Sequence, residues 1–335
     1  VTAPDALFVA WIGQNGRTQG LAKYLGIEAA FIRSDSRLLP VRYARQWAAT
    51  GRLLHARRPR VVLVMQPPIL ALLPVLLYAR AAGARVIADL HTGVFADPKW
   101  RWASRLLMRL LAPSGTVIVT NEALARITRA RGIETLVLHD LIEPITRVVR
   151  EAALPAGLEE DSFVLVPVAY AHDEPLQEIL AAASASPDLR WVLTGRAPDS
   201  LVRQAPANVL FPGFVDDAVF QRLLTTAGVV LAATTEEHTM QRSGYEALSA
   251  GRPLVTTDTA VLREYFGDAA PHVPADGPGI LAGVRTVLAR RDFYLQAMLA
   301  LRDERMHAQQ VSLEGLRMRV QAASPGADGR RGPAV

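Results

Sequence analysis

RVVLVMQPPILALLPVLLYARAAGARVIADL, residues 60–90, decides the fold. Within it, Val61 to Ala79 carries no charge over 19 residues, which is long enough for a membrane-spanning helix. Two features argue otherwise. Pro67-Pro68 cuts the run into a β-rich segment, VVLVM, and a separate helical segment that closes at Gly83. A second strand-like run, RVIADL, follows at once. Strand, helix and strand in that order make a βαβ unit, and a parallel strand covered on both faces is expected to be apolar throughout.

The same alternation extends in both directions. ALFVAWIG, AAFI, GTVIVT and TLVLHD complete the strand candidates of the first half. In the second half they are SFVLVPVA, RWVLTG, NVLFPG, VVLAAT and RPLVTT, with helices expected to begin at Asp173, Pro198, Asp216 and Ser243. Such alternation predicts an α/β protein built from two Rossmann-like, doubly wound parallel sheets. The joint is expected in ALPAGLEEDS, residues 153–162, where Pro, Gly and acids interrupt the periodicity. The expected domains are therefore 1–155 and 156–322, the second closing on a long helix after Asp292. The tail 323–335 has the composition of a disordered end.

Charge divides the two halves. Residues 1–150 hold 21 Lys and Arg against 9 acids, net +12, and the remainder hold 16 against 23, net −7. The basic half is expected to meet something anionic: nucleic acid, a membrane surface or a phosphorylated acceptor. Its aromatics do not interleave with its basic residues as a base-stacking platform requires, which argues against nucleic acid. In PKWRWASRLLMRLL, Arg101, Arg105 and Arg109 fall four residues apart on one helical face, with Trp102 and several Leu off that stripe, a pattern that suits an anionic bilayer; a solvated face over a buried one is the alternative. Arg33, Arg37, Arg42, Arg45, Arg52 and the run Arg57–Arg60 add to it. With no Cys, the chain has no disulfide, thiolate metal ligand or Cys nucleophile, and it fits a reducing compartment. The opening VTAPDALFVAWIG reads as a strand and not as a secretory signal. The expected location is cytoplasmic, with peripheral contact at the inner face of the cell membrane.

In open α/β sheets, ligands bind beyond the carboxyl ends of the strands, so the strand-to-helix loops are where chemistry is expected. GQNGRTQG offers Gly13 and Gly16 for close backbone approach, with Arg17 and Thr18 to hold an anion; a plain tight turn is the alternative. Its spacing is not that of a dinucleotide fingerprint. ADLHTGVFADP brings Asp89, His91 and Asp97 together as general-base candidates, against the plainer reading of turn caps. No spacing matches a metal site, so none is expected. AYAHDEPLQEIL offers His172 and Glu174, with Asp173 as a helix cap. TGRAP puts Arg196 at a strand end, where a guanidinium suits a diphosphate. Finally TTEEHTMQRSGYEALSAGRPLVTTDT, residues 234–259, sets Thr239, Met240 and Gln241 before a helix opening at Ser243-Gly244. A helix start with unpaired N–H groups attracts phosphate, Ser243-Gly244 is expected to give room for it, and Glu246 can accept hydrogen bonds from a ribose diol.

These residues resemble a GT-B glycosyltransferase over nearly the whole chain. YEALSAGRPLVTTDTAVLREYFGDAA is similar to the signature of the group 1, family 4-like transferases. VMQPPIL with VIADLHTG, and VAYAHDEPLQEILAA, look like the β-1,4-mannosyltransferase that adds the first mannose to a dolichol-linked oligosaccharide. The resemblance implies two domains facing across a cleft. It implies no cofactor, but a GDP- or UDP-linked sugar as co-substrate, and a glycan or lipid-pyrophosphate acceptor. It carries ribose binding onto Glu246, whereas the first acid of the signature is here His238. The basic residue usual early in the donor domain is absent from AYAHDEP. The expected activity is metal-independent transfer of a hexose-type sugar onto a lipid-linked or envelope glycan; the alternative is a non-catalytic sugar-nucleotide binder of the same fold.

Overall fold

A computed structural model describes residues 5–95, 97–112, 115–145 and 152–322. The chain divides into two compact units, residues 1–141 with 309–335, and residues 142–308. The first contains β1 (Ala6–Ala10), α1 (Gly16–Leu25), β2 (Glu28–Phe31), α2 (Leu39–Arg57), β3 (Val61–Gln66), α3 (Leu72–Ala82) and β4 (Arg85–Leu90). It continues with α4 (Pro98–Arg101), α5 (Ser104–Leu111), β5 (Gly115–Val119), α6 (Glu122–Arg129) and β6 (Glu134–Val137). All of its strands pair in parallel, in the order β2-β1-β3-β4-β5-β6.

The apolar run of residues 61–79 is resolved as the two prolines require. Every residue of β3 is buried, α3 follows as a separate helix, and β4 pairs with β3 over its whole length. Among the described residues no helix is long and apolar enough to cross a membrane. Both faces of the sheet are covered. Leu7 and Val9 of β1 enter one core with α3 and α5, while Phe8 and Ala10 enter another with Leu21 and Leu25 of α1.

The second unit contains β7 (Phe163–Pro167), α7 (Leu176–Ser184), β8 (Arg190–Thr194), α8 (Asp199–Gln204), β9 (Val209–Gly213), α9 (Asp217–Thr226) and β10 (Val229–Ala232). It goes on through α10 (Arg242–Ala250), β11 (Leu254–Thr257), α11 (Ala260–Phe266), β12 (His272–Val273), α12 (Gly277–Ala289) and the first part of α13 (Arg291–Ala322). Its parallel sheet has the order β12-β11-β10-β7-β8-β9, so the winding reverses between β7 and β10. Each of the two units is thus a Rossmann-like, doubly wound α/β layer.

Three expectations are corrected. The units meet in sequence at Leu141/Ile142, before the 153–162 stretch, because Ile142 and Ile145 already pack in the core of the second unit. The chain also returns to the first unit from Gln309, where Leu313, Leu316 and Val320 of α13 bury against the Phe8 core. The Arg101–Arg105–Arg109 stripe does not lie on one helix: α4 ends at Arg101 and α5 begins at Ser104. Residues 323–335, read as a disordered end, lie outside the described residues.

Candidate functional site

The winding reversal of the second sheet opens a cavity of about 640 Å³. Its walls come from the loops after β7, β8, β9 and β10. Val168, Ala169 and Glu174 line it from the first loop, Arg196 from the second, Phe214 and Asp217 from the third, and Gln241, Arg242, Ser243 and Glu246 from the fourth. A parallel sheet delivers these four loops to one edge because every strand points the same way.

At the start of α10, the N-cap position is Gln241, and its side chain makes no capping hydrogen bond. The first-turn N–H groups therefore have no side-chain acceptor from that residue, which leaves a positive helix end lining the cavity. Ser243 is buried there. Glu246 sits one turn on, and its Oε1 accepts a hydrogen bond from Arg242 Nε at 2.8 Å. Gly244 has a different task from the one expected. A Cβ there would stand 3.0 Å from Phe266 Cζ, so its missing side chain serves packing of α10 on α11 and not room for phosphate. Thr239 and Met240 are half-buried; Met240 packs on the core.

The loop after β7 is built by its acids. Glu174 accepts the Ala169 N–H at 2.9 Å and the Ala171 N–H at 2.8 Å, which closes the loop on itself. Burial pushes the Glu174 carboxyl up, opposed by those amide hydrogen bonds. Asp173 is not the helix cap: α7 begins at Leu176 with Pro175 at its cap. The Asp173 carboxylate instead accepts from Thr234 Oγ1 at 2.9 Å, and its carbonyl accepts the Thr235 N–H at 2.8 Å. It ties the β7 and β10 loops together. His172 is exposed and is not among the cavity-lining residues. Gly195 has φ +94°, and a Cβ there would meet the Val168 carbonyl at 2.5 Å, so only glycine fits the turn that presents Arg196. The Arg196 guanidinium rests 5.8 Å from the centroid of Phe214, which is 78% exposed.

In the first unit, Arg17 does not await an anion. All five of its N–H donors are engaged. Nε and Nη2 reach the Asp89 carboxylate at 3.0 Å, Nη1 reaches Asp140 at 3.0 Å and the His139 carbonyl at 2.8 Å, and Nη2 also reaches the Leu138 carbonyl at 2.8 Å. Burial alone would lower the Arg17 pKa, but Asp89 and Asp140 outweigh it and hold the guanidinium firmly charged. The same balance governs Asp89. Burial pushes its carboxyl up; the charges and hydrogen bonds of Arg17 and His91 together hold it well below the usual carboxylate range. Such an anion is a poor proton acceptor. It orients His91, whose Nε2 lies 3.2 Å away on a partly exposed ring. Asp97 caps α4 by accepting the Lys99 N–H at 2.8 Å. Thr18 is fully buried with its hydroxyl on Met65 Sδ, while Gly13 lies exposed on the loop before α1 and Gly16 is exposed as the first residue of that helix. Among the described residues no group of three or more His, Asp or Glu is arranged to hold a metal ion.

Residues 167–289, which contain every residue lining the cavity, match the family model for glycosyl transferases group 1. Over this stretch the second unit is similar to the glycosyl transferases of group 1. No curated protein matches the chain. Solved structures give the fold of the whole chain. Sucrose-phosphate synthase from Thermosynechococcus elongatus is 14% identical with TM-score 0.74, over 95% of this chain and 100% of that one. HepE from Anabaena in complex with UDP and glucose is 14% identical with TM-score 0.70, over 97% and 100%. UDP-GlcNAc 2-epimerase from Neisseria meningitidis bound to UDP-GlcNAc is 13% identical with TM-score 0.63, over 93% and 99%. At these identities the likeness is one of fold, and a synthase and an epimerase share it.

Of the site residues read from the sequence, Arg196, Glu174, Gln241, Ser243 and Glu246 meet at one cavity. Phe214, Asp217, Phe220 and Arg242 join them without having been singled out. The β9 loop, PGFVDD, carries the plain signals of a turn and a helix cap, and Asp216 does cap α9 through the Val219 N–H.

The Arg17–Asp89 pair has a direct test. Arg17→Met would leave a buried carboxylate unpaired, at a cost of about 3–5 kcal/mol. Urea unfolding at neutral pH should show that loss. Because the Asp89 pKa is depressed in the folded state, the loss should persist above the ordinary carboxylate range and shrink as pH falls through it. A variant of unchanged stability would contradict the pairing.

Proposed function

We propose that this glycosyltransferase moves a hexose-type sugar from a nucleoside diphosphate sugar, GDP- or UDP-linked, to a lipid-linked or envelope glycan acceptor. The observation that carries the donor half is the cavity itself: an uncapped helix start, Arg196 and Glu246 converge on one volume. A diphosphate calls for cationic and N–H donors, and a ribose diol calls for a carboxylate acceptor within reach. The Anabaena relative of the same fold holds UDP and glucose, which favours this class of ligand. Arg196 and the start of α10 stabilise the leaving diphosphate electrostatically, in place of a metal cation.

The acceptor is assigned to the basic first unit. His91, oriented by Asp89, takes the proton of the acceptor hydroxyl, which attacks the anomeric carbon as the bond to the diphosphate breaks. Asp97 is left with capping α4, and Gly13 and Gly16 remain candidates for acceptor contact. Peripheral membrane contact is drawn from two exposed segments of this unit. Leu38, Leu39 and Val41 stand exposed at the start of α2 beside Arg37 and Arg45. Trp102 and Leu106 stand exposed beside Arg105 and Arg109. Apolar anchors flanked by cations are what an anionic bilayer binds.

A non-catalytic binder is the second reading, because Glu237, one of two acids near the signature's first acid, caps α11 through the Ala260 N–H. Donor turnover separates them: a transferase releases nucleoside diphosphate slowly from a donor sugar without acceptor, and a binder releases none.

Two variants divide the proposed roles. Glu246→Ala should weaken nucleotide binding by calorimetry about tenfold, the worth of one good hydrogen-bonded contact to a charge, with the fold intact. His91→Ala should keep donor affinity and lose about 10²-fold or more in turnover. Unchanged affinity in the first, or full activity in the second, removes that residue from the site. For the membrane contact, co-sedimentation with anionic vesicles is expected at low salt and should weaken as salt rises; no binding at low salt contradicts it.

A further inference from the structure

The loop after β7, AYAHDEP, brings no Lys or Arg to the cavity, and its two acids are committed to loop contacts. Among the described residues, the cations lining the cavity are Arg196 and Arg242. Arg242 is the first residue of α10, where it runs against the helix's own electrostatics. A cation at a positive helix end is unfavourable, and an Arg placed four residues before a Glu is the weaker order for such a pair. Helices α6, α8 and α9 instead open with Glu122, Asp199 and Asp217. Arg242 nonetheless bonds Glu246 at 2.8 Å, with its side chain 67% exposed and that of Glu246 only 22% exposed. Much of the Arg242 side chain is therefore in solvent, beside the cavity, at a helix start that favours anions.

We infer that Arg242 is a second diphosphate-binding residue that exchanges partners on donor binding, leaving Glu246 to the ribose and turning to the phosphates. This rests on the donor reading above. In the free protein the pair neutralises both groups and holds the Glu246 carboxylate in place. When the ribose hydroxyls donate to Glu246, the guanidinium gains a doubly charged partner, on which it can form two parallel hydrogen bonds. A bound diphosphate also relieves the repulsion between Arg242 and the helix end. The exchange couples recognition of sugar and phosphate, so a nucleoside alone gains nothing from Arg242.

Calorimetry on the full chain with UDP, GDP, uridine and guanosine tests it, comparing wild type with Arg242→Gln and Arg242→Lys. The expected result is a loss of about tenfold or more in diphosphate affinity for Arg242→Gln. Nucleoside affinity should be unchanged or tighter, and Arg242→Lys should recover part of the loss. Equal weakening of diphosphate and nucleoside would make Arg242 merely a support for Glu246, and no change in either would make it a surface pair; both outcomes overturn the inference while leaving the donor site standing. Wild type that binds neither diphosphate would overturn the donor reading itself.

Discussion

Parallel strand pairing is the constraint on which the rest depends. When every strand of a sheet runs one way, each crossover helix must bring the chain back, and every strand-to-helix loop emerges at the same edge. In the second unit the order reverses between β7 and β10, so the loops on either side part there and leave a cavity. The backbone supplies the first part of the site without any special residue, as the start of α10, which the Gln241 side chain does not cap. Side chains then refine it. Asp173 joins two of the loops, Glu174 folds one of them, and Gly195 allows the turn that carries Arg196.

The first unit spends its charged residues differently. Arg17 and Asp89 are buried, face each other through paired hydrogen bonds, and leave no donor of the guanidinium open. A buried pair of this kind adds little net stability relative to apolar residues, yet removing one partner is costly. Its consequence is positional. With Asp89 fixed and negatively charged, the His91 ring has a defined hydrogen-bond partner for one nitrogen. That arrangement suits the proton-acceptor role proposed for His91, with the Asp89 carboxylate as its support.

Much of this was legible before any coordinates. The near-continuous apolar strands report two-sided burial, and Pro67-Pro68 separates β3 from α3 as residue chemistry demands. Arg196, Ser243 and Glu246 could be read because each follows a strand, where the fold rule looks for ligands. What escaped were tasks decided by partners distant in sequence. Arg17 reads as an anion holder until Asp89, 72 residues on, takes its guanidinium. Gly244 reads as open space until Phe266 fills it, and Asp173 reads as a cap until Thr234 claims it. The joint between units is hidden for the same reason: Ile142 and Ile145 carry no local sign of which core they enter.

A structure of the protein crystallised with UDP or GDP tests the central claim most directly. The account predicts the diphosphate within hydrogen-bonding distance of the N–H groups that open α10, with the ribose hydroxyls on Glu246. A nucleotide bound elsewhere, or phosphates turned away from that helix start, would contradict it.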